Sequence, residues 1–313
     1  MSTAPITEVP DAVTASNPNA ATDRPFVWLD GEFVPKSAAK ISVFDHGLLY
    51  GDGCFEGIRA YGGRIFKCKS HIDRFFRSAE RIRLTIPYTA DEIDQLMRDS
   101  LAKNEITDGY IRLVVTRGVG SLGLHPFKCP RASVFCIADK ISLYPPEMYA
   151  EGMPIVVAKR PRIPVDCLDP SIKSLNYLNN ILAKIEAIDA GVLEALMLNT
   201  QGDVAECTGD NVFVIKDGAV VTPALEAGLL DGITRSFVIG LCEELGVSIT
   251  ERTVRLDEVM AADEVFLTGT AAEIIAVKSI DQKPVGDGAG EGPVTKRLRE
   301  RFREVLKAGA PED

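Results

Sequence analysis

The chain has 313 residues, of which 46% are hydrophobic and 26% are charged, and its formal net charge is −10. That length and apolar fraction are enough for two hydrophobic cores of ordinary size, so we predict two domains. The acidic balance, without a long Lys/Arg run, argues against nucleic acid or an anionic membrane as the main partner. No apolar run approaches the roughly 18 residues that a membrane span needs.

The cysteines and the N-terminal segment indicate the cellular compartment in which we expect the protein. Seven cysteines are scattered without a CxxC pair, and an odd number cannot all pair within one chain, so we expect reduced thiols and a cytoplasmic protein. The segment before Arg24 is rich in Ala, Thr and Pro and lacks the apolar core or arginines of a targeting peptide. We therefore predict a disordered tail over residues 1–24.

Residues 25–138 are predicted to form a small N-terminal α/β domain. The segment 26–35 resembles a hairpin with an Asp30-Gly31 turn, and the glycine-rich segment 42–66 is typical of strands joined by tight turns. Apolar residues at helical spacing from 72 to 82 predict a helix that contains His71 and Arg74, followed by a second helix over about 91–103. Strands over 109–118 and 131–139 complete the domain, and a loop rich in Gly and Pro joins them.

Residues 139–151 contain two prolines and two tyrosines and are predicted to be the interdomain linker. The larger C-terminal α/β domain, 152–313, begins with a strand over 154–160. A helix then follows Lys173, because apolar residues recur at helical spacing from Leu178 to Ile188 and Gly191 supplies a C-terminal stop. This pattern predicts that Lys173 lies at or just before the first helical turn.

Further along the chain, two apolar-turn-apolar segments, 195–206 and 211–223, predict hairpins. The sequence LLDGITR predicts a helix with Thr234 in its first turn. Strands over 247–254 and 263–280 follow, and a charged helix over 294–309 is expected to present a solvated face.

Three features of the C-terminal domain could support chemistry on a small anionic ligand. A helix N-terminus disfavours an ammonium group, so Lys173 there would favour the free amine that attacks an aldehyde, although most such lysines are solvated surface residues. The free N–H groups of Ile233 and Thr234, and a nest at Gly269–Ala271, suit a phosphate, although each pattern also fits an ordinary helix start or turn. Glu206 follows a strand and is either a surface carboxylate or the partner of a protonated ring nitrogen.

Other chemistries lack their motifs. The three histidines, at 46, 71 and 125, are too few and too far apart to indicate a metal site. The GxSxG elbow, the P-loop and a GxGxxG in a strand-to-helix setting are all absent.

The order of six motifs, HIDRF, YIR, KSLNY, VAECTGDNVF, LDGITR and FLTGTAAEI, resembles the class IV aminotransferases, and most closely the branched-chain amino-acid aminotransferases. The resemblance extends from about residue 28 to 306. It implies an α+β, fold-type IV enzyme of the D-amino-acid aminotransferase-like fold with pyridoxal 5′-phosphate as its cofactor. The implied reaction is transamination of leucine, isoleucine and valine with 2-oxoglutarate, as in branched-chain amino-acid biosynthesis. It also implies a homodimer or higher homo-oligomer, in which the loop 118–125 reaches the partner's site.

The resemblance also assigns roles to individual residues. It makes Lys173 the Schiff-base lysine and proton shuttle, with Tyr177 on the phenolic oxygen of the cofactor and Glu206 on its pyridine nitrogen. The phosphate would be held by Arg74, Ile233, Thr234 and Thr270. The substrate side would be lined by Tyr50, Phe55, Tyr110 and Arg112, and the α-carboxylate would rest on the turn at Thr270 and Ala271.

Two departures and three alternatives accompany this interpretation. Only three residues separate Lys173 from Tyr177 where some members have four, and Lys140 and Leu143 stand where large aromatic residues are expected. The alternatives are a D-amino-acid aminotransferase, an aminodeoxychorismate lyase and a non-catalytic protein that binds the cofactor. Tyr110 and Arg112, two apart on one strand face, favour the branched-chain enzyme, and the substrate arginine argues against a mere binder.

Overall fold

The computed structural model describes residues 24–141 and 144–313, and two β-sheets with their helices make up the described chain. Residues 1–23 of the predicted tail and Leu143 lie outside the described residues. No helix of the described part is long and apolar enough to cross a membrane.

The first sheet has six strands, all paired antiparallel, in the order β2-β1-β6-β5-β3-β4. Its strands are β1 (Phe26–Leu29), β2 (Glu32–Pro35), β3 (Gly53–Tyr61), β4 (Arg64–Ile65), β5 (Gly109–Thr116) and β6 (Ser133–Asp139), and its helices are α1 (His46–Tyr50), α2 (Cys68–Arg81) and α3 (Ala90–Asn104). Helices α2 and α3 cover one face, where Ile58, Phe75 and Met97 are fully buried in a common core. The predicted hairpin, the two helices and the two closing strands are therefore present.

The second sheet has nine strands in the order β12-β11-β10-β13-β14-β7-β8-β9, with β15 paired to β14. Its strands are β7 (Met153–Val157), β8 (Glu194–Leu198), β9 (Val204–Cys207), β10 (Asn211–Lys216), β11 (Ala219–Pro223), β12 (Ile249–Arg252), β13 (Glu264–Gly269), β14 (Glu273–Ile280) and β15 (Lys283–Pro284). The helices are α4 (Pro146–Glu151), α5 (Leu178–Asp189), α6 (Ile233–Glu244), α7 (Leu256–Met260) and α8 (Pro293–Gly309). Both predicted hairpins are present, as β8–β9 and β10–β11.

The two sheets are joined by a shared core. Phe66, which precedes α2, is 1% exposed and packs against Phe237 of α6 and Phe302 of α8, at ring-centroid distances of 5.2 and 5.8 Å. Helix α8 was predicted to be a solvated face, yet Leu298 and Phe302 are buried. A helix rich in charged residues can still bury one apolar stripe, and in α8 that stripe packs into the shared core.

The prediction for Lys173 was wrong in its local structure. Helix α5 begins at Leu178, five residues further on. Lys173 instead lies in an extended segment beside β3, where the N–H of Phe55 donates to the Lys173 carbonyl at 3.0 Å and the N–H of Leu175 donates to the Gly53 carbonyl at 2.9 Å. β4 pairs only with the far end of β3, so the first residues of β3 keep free edge groups that this segment satisfies. The helix-dipole argument for a free amine therefore does not apply.

Two other segments differ from expectation. The glycine-rich segment contains the short helix α1, whose first turn is capped by Asp45, where strands and turns were predicted. The predicted linker contains α4, because Pro145 and Pro146 suit a helix start.

Candidate active site

A cavity of about 510 Å³ lies between the two sheets. Eleven of the twelve residues that the sequence singled out line this cavity: Phe55, Arg74, Tyr110, Arg112, Lys173, Tyr177, Glu206, Ile233, Thr234, Thr270 and Ala271. Tyr50 is the exception and lies outside the cavity wall. The residues come from both sheets, so the cavity exists only because the two sheets face each other.

Lys173 is held in the cavity by backbone contacts with β3, by the Ser78 side chain of α2 and by one side chain of its own segment. Its N–H donates to the Ser78 hydroxyl at 3.2 Å, and its Nζ donates to the Tyr177 hydroxyl at 3.0 Å. The Phe55 ring, packed edge-to-face on Tyr177 with ring centroids 4.9 Å apart, lies 4.6 Å from the Nζ. The amine and the phenol therefore face the same space, despite the short spacing between them.

Glu206 is 5% exposed and has three donors. The Arg162 Nε donates to it at 2.8 Å, the Leu230 N–H at 3.0 Å and the Asn211 Nδ2 at 3.4 Å. Burial raises the pKa of the Glu206 carboxyl, and the Arg162 guanidinium opposes that rise. Arg162 thus supplies the charge that favours an ionised Glu206 in this buried position.

Arg74 sits in a buried cluster on the face of α2. Its Nε and Nη2 donate to the two oxygens of Glu56 at 2.7 and 2.8 Å, and its Nη1 donates to the Asp231 carbonyl at 2.7 Å. Asp231 lies two residues before the start of α6, which has no capping side chain, so the first-turn N–H groups of Ile233 and Thr234 have no acceptor within the helix. A guanidinium beside free helical N–H groups is a site for an anion such as a phosphate.

The turn between β13 and β14 closes the cavity on the side of the second sheet. It contains Thr270 and Ala271 and is flanked by Gly269, where a Cβ atom would lie 1.9 Å from the Asp210 Oδ1. The Thr268 hydroxyl, also at the cavity, is buried and has no hydrogen-bond partner. A side chain at position 269 would clash with the Asp210 carboxylate. The Thr268 hydroxyl can form a hydrogen bond to a polar ligand in the cavity.

The opposite wall consists of β3 and β5. Gly57 pairs with Arg112 and Phe55 pairs with Val114, so alternate residues of both strands face the cavity. The Arg112 guanidinium carbon lies 4.5 Å from the Phe55 ring centroid and 5.5 Å from that of Tyr110. Within the described chain it forms no salt bridge with a carboxylate, so its charge is available to a ligand.

The remaining sequence-based expectations concern Tyr50 and the linker. The Tyr50 side chain packs on His46, and its hydroxyl accepts the Gly123 N–H at 2.9 Å, which ties α1 to the loop 118–125. Lys140 is exposed and does not line the cavity, whereas Tyr144 is buried there and donates to Asp210 at 3.2 Å. The linker therefore does contribute an aromatic residue, one position after Leu143.

Several residues of the site escaped the sequence analysis. Arg162, Glu56 and Ser78 contact Glu206, Arg74 and Lys173, and Asp210 lines the cavity directly. Only Glu56 had a readable signal, since a charged residue inside an apolar strand, opposite in phase to Phe55, would face a helix that contains His71 and Arg74. Arg162 and Asp210 lie in segments without periodicity, and Ser78 lies on the predicted helix without a feature that marks it as part of a site.

The donor set fits pyridoxal phosphate. An amine and a phenol, a guanidinium beside a free helix N-terminus, and a buried carboxylate match the aldehyde, the phenolic oxygen, the phosphate and the ring nitrogen of that molecule. The buried hydroxyl of Thr268, which lines the cavity and has no hydrogen-bond partner among the described residues, fits a polar ligand there. In the described parts of the chain, no group of three or more His, Cys, Asp or Glu side chains is arranged for a metal ion.

Comparisons with known proteins agree with this geometry. The family model "Amino-transferase class IV" matches residues 53–280. The chain is 48% identical over 279 residues to a putative branched-chain-amino-acid aminotransferase of Methanocaldococcus jannaschii, covering 89% of this chain and 96% of that protein. It is 36% identical over 282 residues to a D-alanine aminotransferase of Listeria monocytogenes, and this match covers 90% of this chain and 96% of that protein.

Among solved structures, the branched-chain amino acid aminotransferase of Thermobaculum terrenum in its PLP-bound holo form matches with a TM-score of 0.82 and 33% identity. The match covers 92% of this chain and 94% of that one. The sequence-based assignment of family, fold and cofactor is thereby confirmed. The chain belongs to the class IV aminotransferases, which use pyridoxal 5′-phosphate as their cofactor.

Proposed function

We propose that this enzyme transfers the amino group of branched-chain L-amino acids to 2-oxoglutarate. The observation that carries the proposal is Arg112, a cation without a carboxylate partner in the described chain, set among aromatic rings on the cavity wall. Such a wall accepts an aliphatic side chain or a second carboxylate. The proposal is also supported by the relatives that are named branched-chain-amino-acid aminotransferases.

We further propose a division of roles among the lining residues. Lys173 takes up the cofactor aldehyde, and Tyr177 donates to the phenolic oxygen. The phosphate is held by Arg74 and by the N–H groups of Ile233 and Thr234, with Thr270 completing the cradle. Glu206 holds a proton on the ring nitrogen. All seven residues line the same cavity, which supports this assignment.

The chain's own residues then move one proton. When bound, pyridoxal phosphate supplies an electron-withdrawing ring that stabilises negative charge on the substrate α-carbon. Once the substrate amine has replaced it on the aldehyde, the free Lys173 amine would remove the α-proton and return it to the cofactor carbon, and the Tyr177 hydroxyl would orient that amine. Arg162 and the Leu230 N–H favour the ionised form of Glu206, so that Glu206 can pair with a protonated ring nitrogen.

Dual substrate recognition is assigned to two opposite walls. The α-carboxylate of either substrate rests on the turn at Thr270 and Ala271. The side-chain carboxylate of glutamate pairs with Arg112, while the isobutyl group of leucine lies against the flat face of the same guanidinium and the Phe55 ring. One pocket thereby accepts both substrates in alternate half-reactions.

Replacing Arg112 by Leu tests this assignment. The change removes hydrogen bonds to a charged group worth about 1.5 to 3 kcal/mol, or roughly one to two powers of ten in binding. We expect kcat/KM for glutamate and 2-oxoglutarate to fall at least about tenfold, with the leucine half-reaction within a few-fold of wild type. Each half-reaction is followed separately through the cofactor spectrum. Equal losses with both substrates would contradict the assignment.

The same assay separates the alternative reactions. L-leucine, D-alanine and an aminodeoxychorismate substrate are offered in parallel, because a D-alanine aminotransferase is also among the relatives. Amino transfer from L-leucine alone supports the branched-chain function. Faster reaction with D-alanine, or elimination from the chorismate-derived substrate, would replace it.

We also propose that two copies of the chain form a homodimer. Apolar side chains are exposed on three neighbouring segments: Val43, Phe44 and Leu48 around α1, Leu122 and Leu124 in the loop 118–125, and Leu178, Ile181 and Ile185 on α5. The Gly120 N–H donates to the Phe44 carbonyl and Asn176 donates to the Gly51 carbonyl, so the segments adjoin. A second copy would cover this surface and bring Tyr50 to a substrate site.

Two further features of the chain are proposals. The two sheets support a division into a small domain over 25–138 and a large domain over 152–313, joined by the linker 139–151. All seven cysteines have free thiols, which supports a reducing cytoplasmic compartment.

A further inference from the structure

A single hydrogen bond joins the end of β3 to the start of β14. The Tyr61 hydroxyl donates to the Glu273 Oε1 at 2.9 Å, across a sequence separation of 212 residues. Tyr61 ends the strand that contains Phe55, and Glu273 immediately follows the turn that contains Thr270 and Ala271. The contact therefore connects the two walls of the cavity that we assign to the two ends of the substrate.

Glu273 has an unusual backbone conformation. Its φ is +60°, in the left-handed region that a glutamate rarely adopts, and it pairs with Gly269 to close the three-residue turn 270–272. Glycine is the ordinary residue at such a position, because it has no Cβ to strain. A glutamate there keeps the strain and gains a side chain, and the contact that this side chain makes is the bond to Tyr61.

Tyr61 is held firmly as a donor. The Arg59 guanidinium carbon lies 4.9 Å from its ring centroid, and the Phe66 ring packs edge-to-face on it at 6.1 Å. Phe66 belongs to the core that the two sheets share. Burial and the nearby Glu273 carboxylate raise the pKa of Tyr61, so the hydroxyl keeps its proton at neutral pH.

The other end of the turn is restrained as well. Gly269 packs directly on the Asp210 carboxylate, which leaves no space for a Cβ. The turn 270–272 is thus fixed on one side by the second sheet, through Asp210, and on the other by the first sheet, through Tyr61. Its orientation depends on how the two sheets face each other.

We propose that Tyr61 and Glu273 form a positioning pair that orients the turn 270–272 so that its N–H groups meet the α-carboxylate of the substrate. Neither side chain lines the cavity, so the pair acts through the backbone of the turn. The inference rests on the proposed role of that turn as the carboxylate site. It extends that role by naming residues that control the affinity of the turn for a carboxylate.

The test measures binding of two probes to the holoenzyme, 4-methylpentanoate and its neutral amide, by titration of the cofactor spectrum. Tyr61→Phe removes the donor and keeps the ring, and Glu273→Gly removes the acceptor and relieves the backbone strain. For each we expect the Kd of the carboxylate to rise about fivefold, the order of coupling found between contacting residues. The amide should bind almost unchanged, because it has no charge for the turn to hold.

Conservative and control variants refine the result. Glu273→Gln keeps an oxygen acceptor and should bind the carboxylate within about twofold of wild type. The double variant of Tyr61→Phe with Glu273→Gly should lose no more than either single one, because both remove the same bond. Tyr149→Phe is the matched control, since Tyr149 lies close enough to Glu273 to feel its charge but makes no hydrogen bond to it, and it should leave both probes unchanged.

Failure of this inference differs from failure of the carboxylate assignment. Ala271→Pro deletes an N–H of the turn and should weaken the carboxylate if the turn binds it. If Ala271→Pro weakens the carboxylate while Tyr61→Phe and Glu273→Gly do not, the positioning pair is wrong and the turn keeps its role. If none of the three changes the Kd of the carboxylate, both the turn assignment and the pair are overturned. Loss of amide and carboxylate affinity in equal measure would indicate general damage and would also overturn the pair.

Discussion

Two lysines line the cavity, and their surroundings differ. The Lys173 Nζ is 3.0 Å from the Tyr177 hydroxyl and forms no salt bridge with any described carboxylate, whereas the Lys184 Nζ is paired with Glu194 at 3.2 Å. The Lys184 amine is thus occupied by a carboxylate, whereas the Lys173 amine is not. This difference supports the proposal that Lys173 binds the cofactor aldehyde.

Replacing Lys173 by Ala should abolish covalent attachment of the cofactor. Loss of a positioned base typically costs roughly 10²- to 10⁴-fold in rate, and we expect at least that loss of turnover. Borohydride reduction followed by peptide mapping locates the label, with Lys184→Ala as the control that should keep it. A label on Lys184 or any other lysine would contradict the assignment.

Glu206 and Arg162 form a buried pair in which each residue has a separate effect. Glu206→Gln should leave the cofactor bound through its phosphate contacts but slow α-proton removal, because a neutral amide cannot favour a protonated ring nitrogen as a carboxylate does. Arg162→Met should have a similar, pH-dependent effect, since burial alone raises the pKa of Glu206. Single-turnover kinetics measure both. Proton removal at the wild-type rate in Glu206→Gln, with the cofactor bound, would mean that Glu206 has another role.

At the scale of elements, helix α2 connects the first sheet to the proposed phosphate site. His71, Arg74 and Ser78 lie on one face of the helix, at helical spacing, and meet Glu56 of β3 and Lys173. Burial alone would raise the pKa of Glu56, but Arg74 and His71 outweigh it and lower the pKa well below its ordinary value. Burial lowers the pKa of His71, and the contact with Glu56 opposes that shift only in part.

Both shifts make the folded state less able to bind protons than the unfolded state. The unfolded chain takes up a proton on His71 as the pH falls through about 6.5, and on Glu56 as it falls through about 4.5, while the folded chain takes up each of these protons only at a lower pH. The contribution of His71 and Glu56 to the free energy of unfolding should therefore decrease on acidification, first below about 6.5 and more steeply below about 4.5. Asp210 acts in the opposite direction, because burial raises its pKa to about 7. Urea unfolding of the apoenzyme between pH 4 and pH 8 measures the free energy of unfolding.

A variant isolates the histidine contribution. His71→Asn keeps a donor for Glu56 but does not titrate, so the decrease that begins near pH 6.5 should disappear while the steeper one remains. A second variant, Arg74→Met, leaves the buried Glu56 carboxylate without its main partner. It should lower the free energy of unfolding by about 3–5 kcal/mol at neutral pH. The same pH dependence of stability in the wild type and in His71→Asn would contradict the prediction.

At the scale of the whole molecule, the exposed apolar surface concerns assembly. On α5 the side chains of Leu178, Ile181 and Ile185 are 65%, 52% and 45% exposed, while Ala183 and Ala187 are buried beneath them. The helix therefore presents its larger apolar side chains to solvent and its small ones to the sheet. Such a face, continuous with α1 and the loop 118–125, favours a partner copy.

Introducing a charge there should separate the copies. We expect the wild type to sediment as a dimer and Ile181→Glu to sediment as a monomer, because an unpaired carboxylate is costly to bury in an interface. Leu225→Glu, at an apolar residue 43% exposed in the turn after β11, is the control and should stay dimeric. A wild type that sediments as a monomer at micromolar concentration would overturn the homodimer.

Mixing two inactive variants tests the part of Tyr50. If Tyr50 serves the partner's site, a heterodimer of Lys173→Ala and Tyr50→Ala chains contains one site with both native residues, and mixing the two should restore activity. If Tyr50 serves its own site, every site in the mixture lacks one residue and no activity returns. Sedimentation of the mixture confirms that the chains have exchanged.

The sequence by itself determined the features that depend on neighbours along the chain. The Asp30-Gly31 hairpin, the face of α2 with His71 and Arg74, and the start of α6 at Ile233 follow from local turn chemistry and periodicity. The order of six motifs was enough for family, fold and cofactor, because each motif supplies a chemical group of one site.

Only the tertiary structure decided what those groups contact. The segment of Lys173 lies along the free edge of β3 rather than in a helix, a position that no periodicity encodes. The bonds from Arg162 to Glu206, from Arg74 to Asp231 and from Tyr61 to Glu273 join residues that are 44, 157 and 212 positions apart. The last two pairs depend on how the two sheets pack, and the free energy of that packing is shared among many buried side chains, so no single stretch of sequence specifies it.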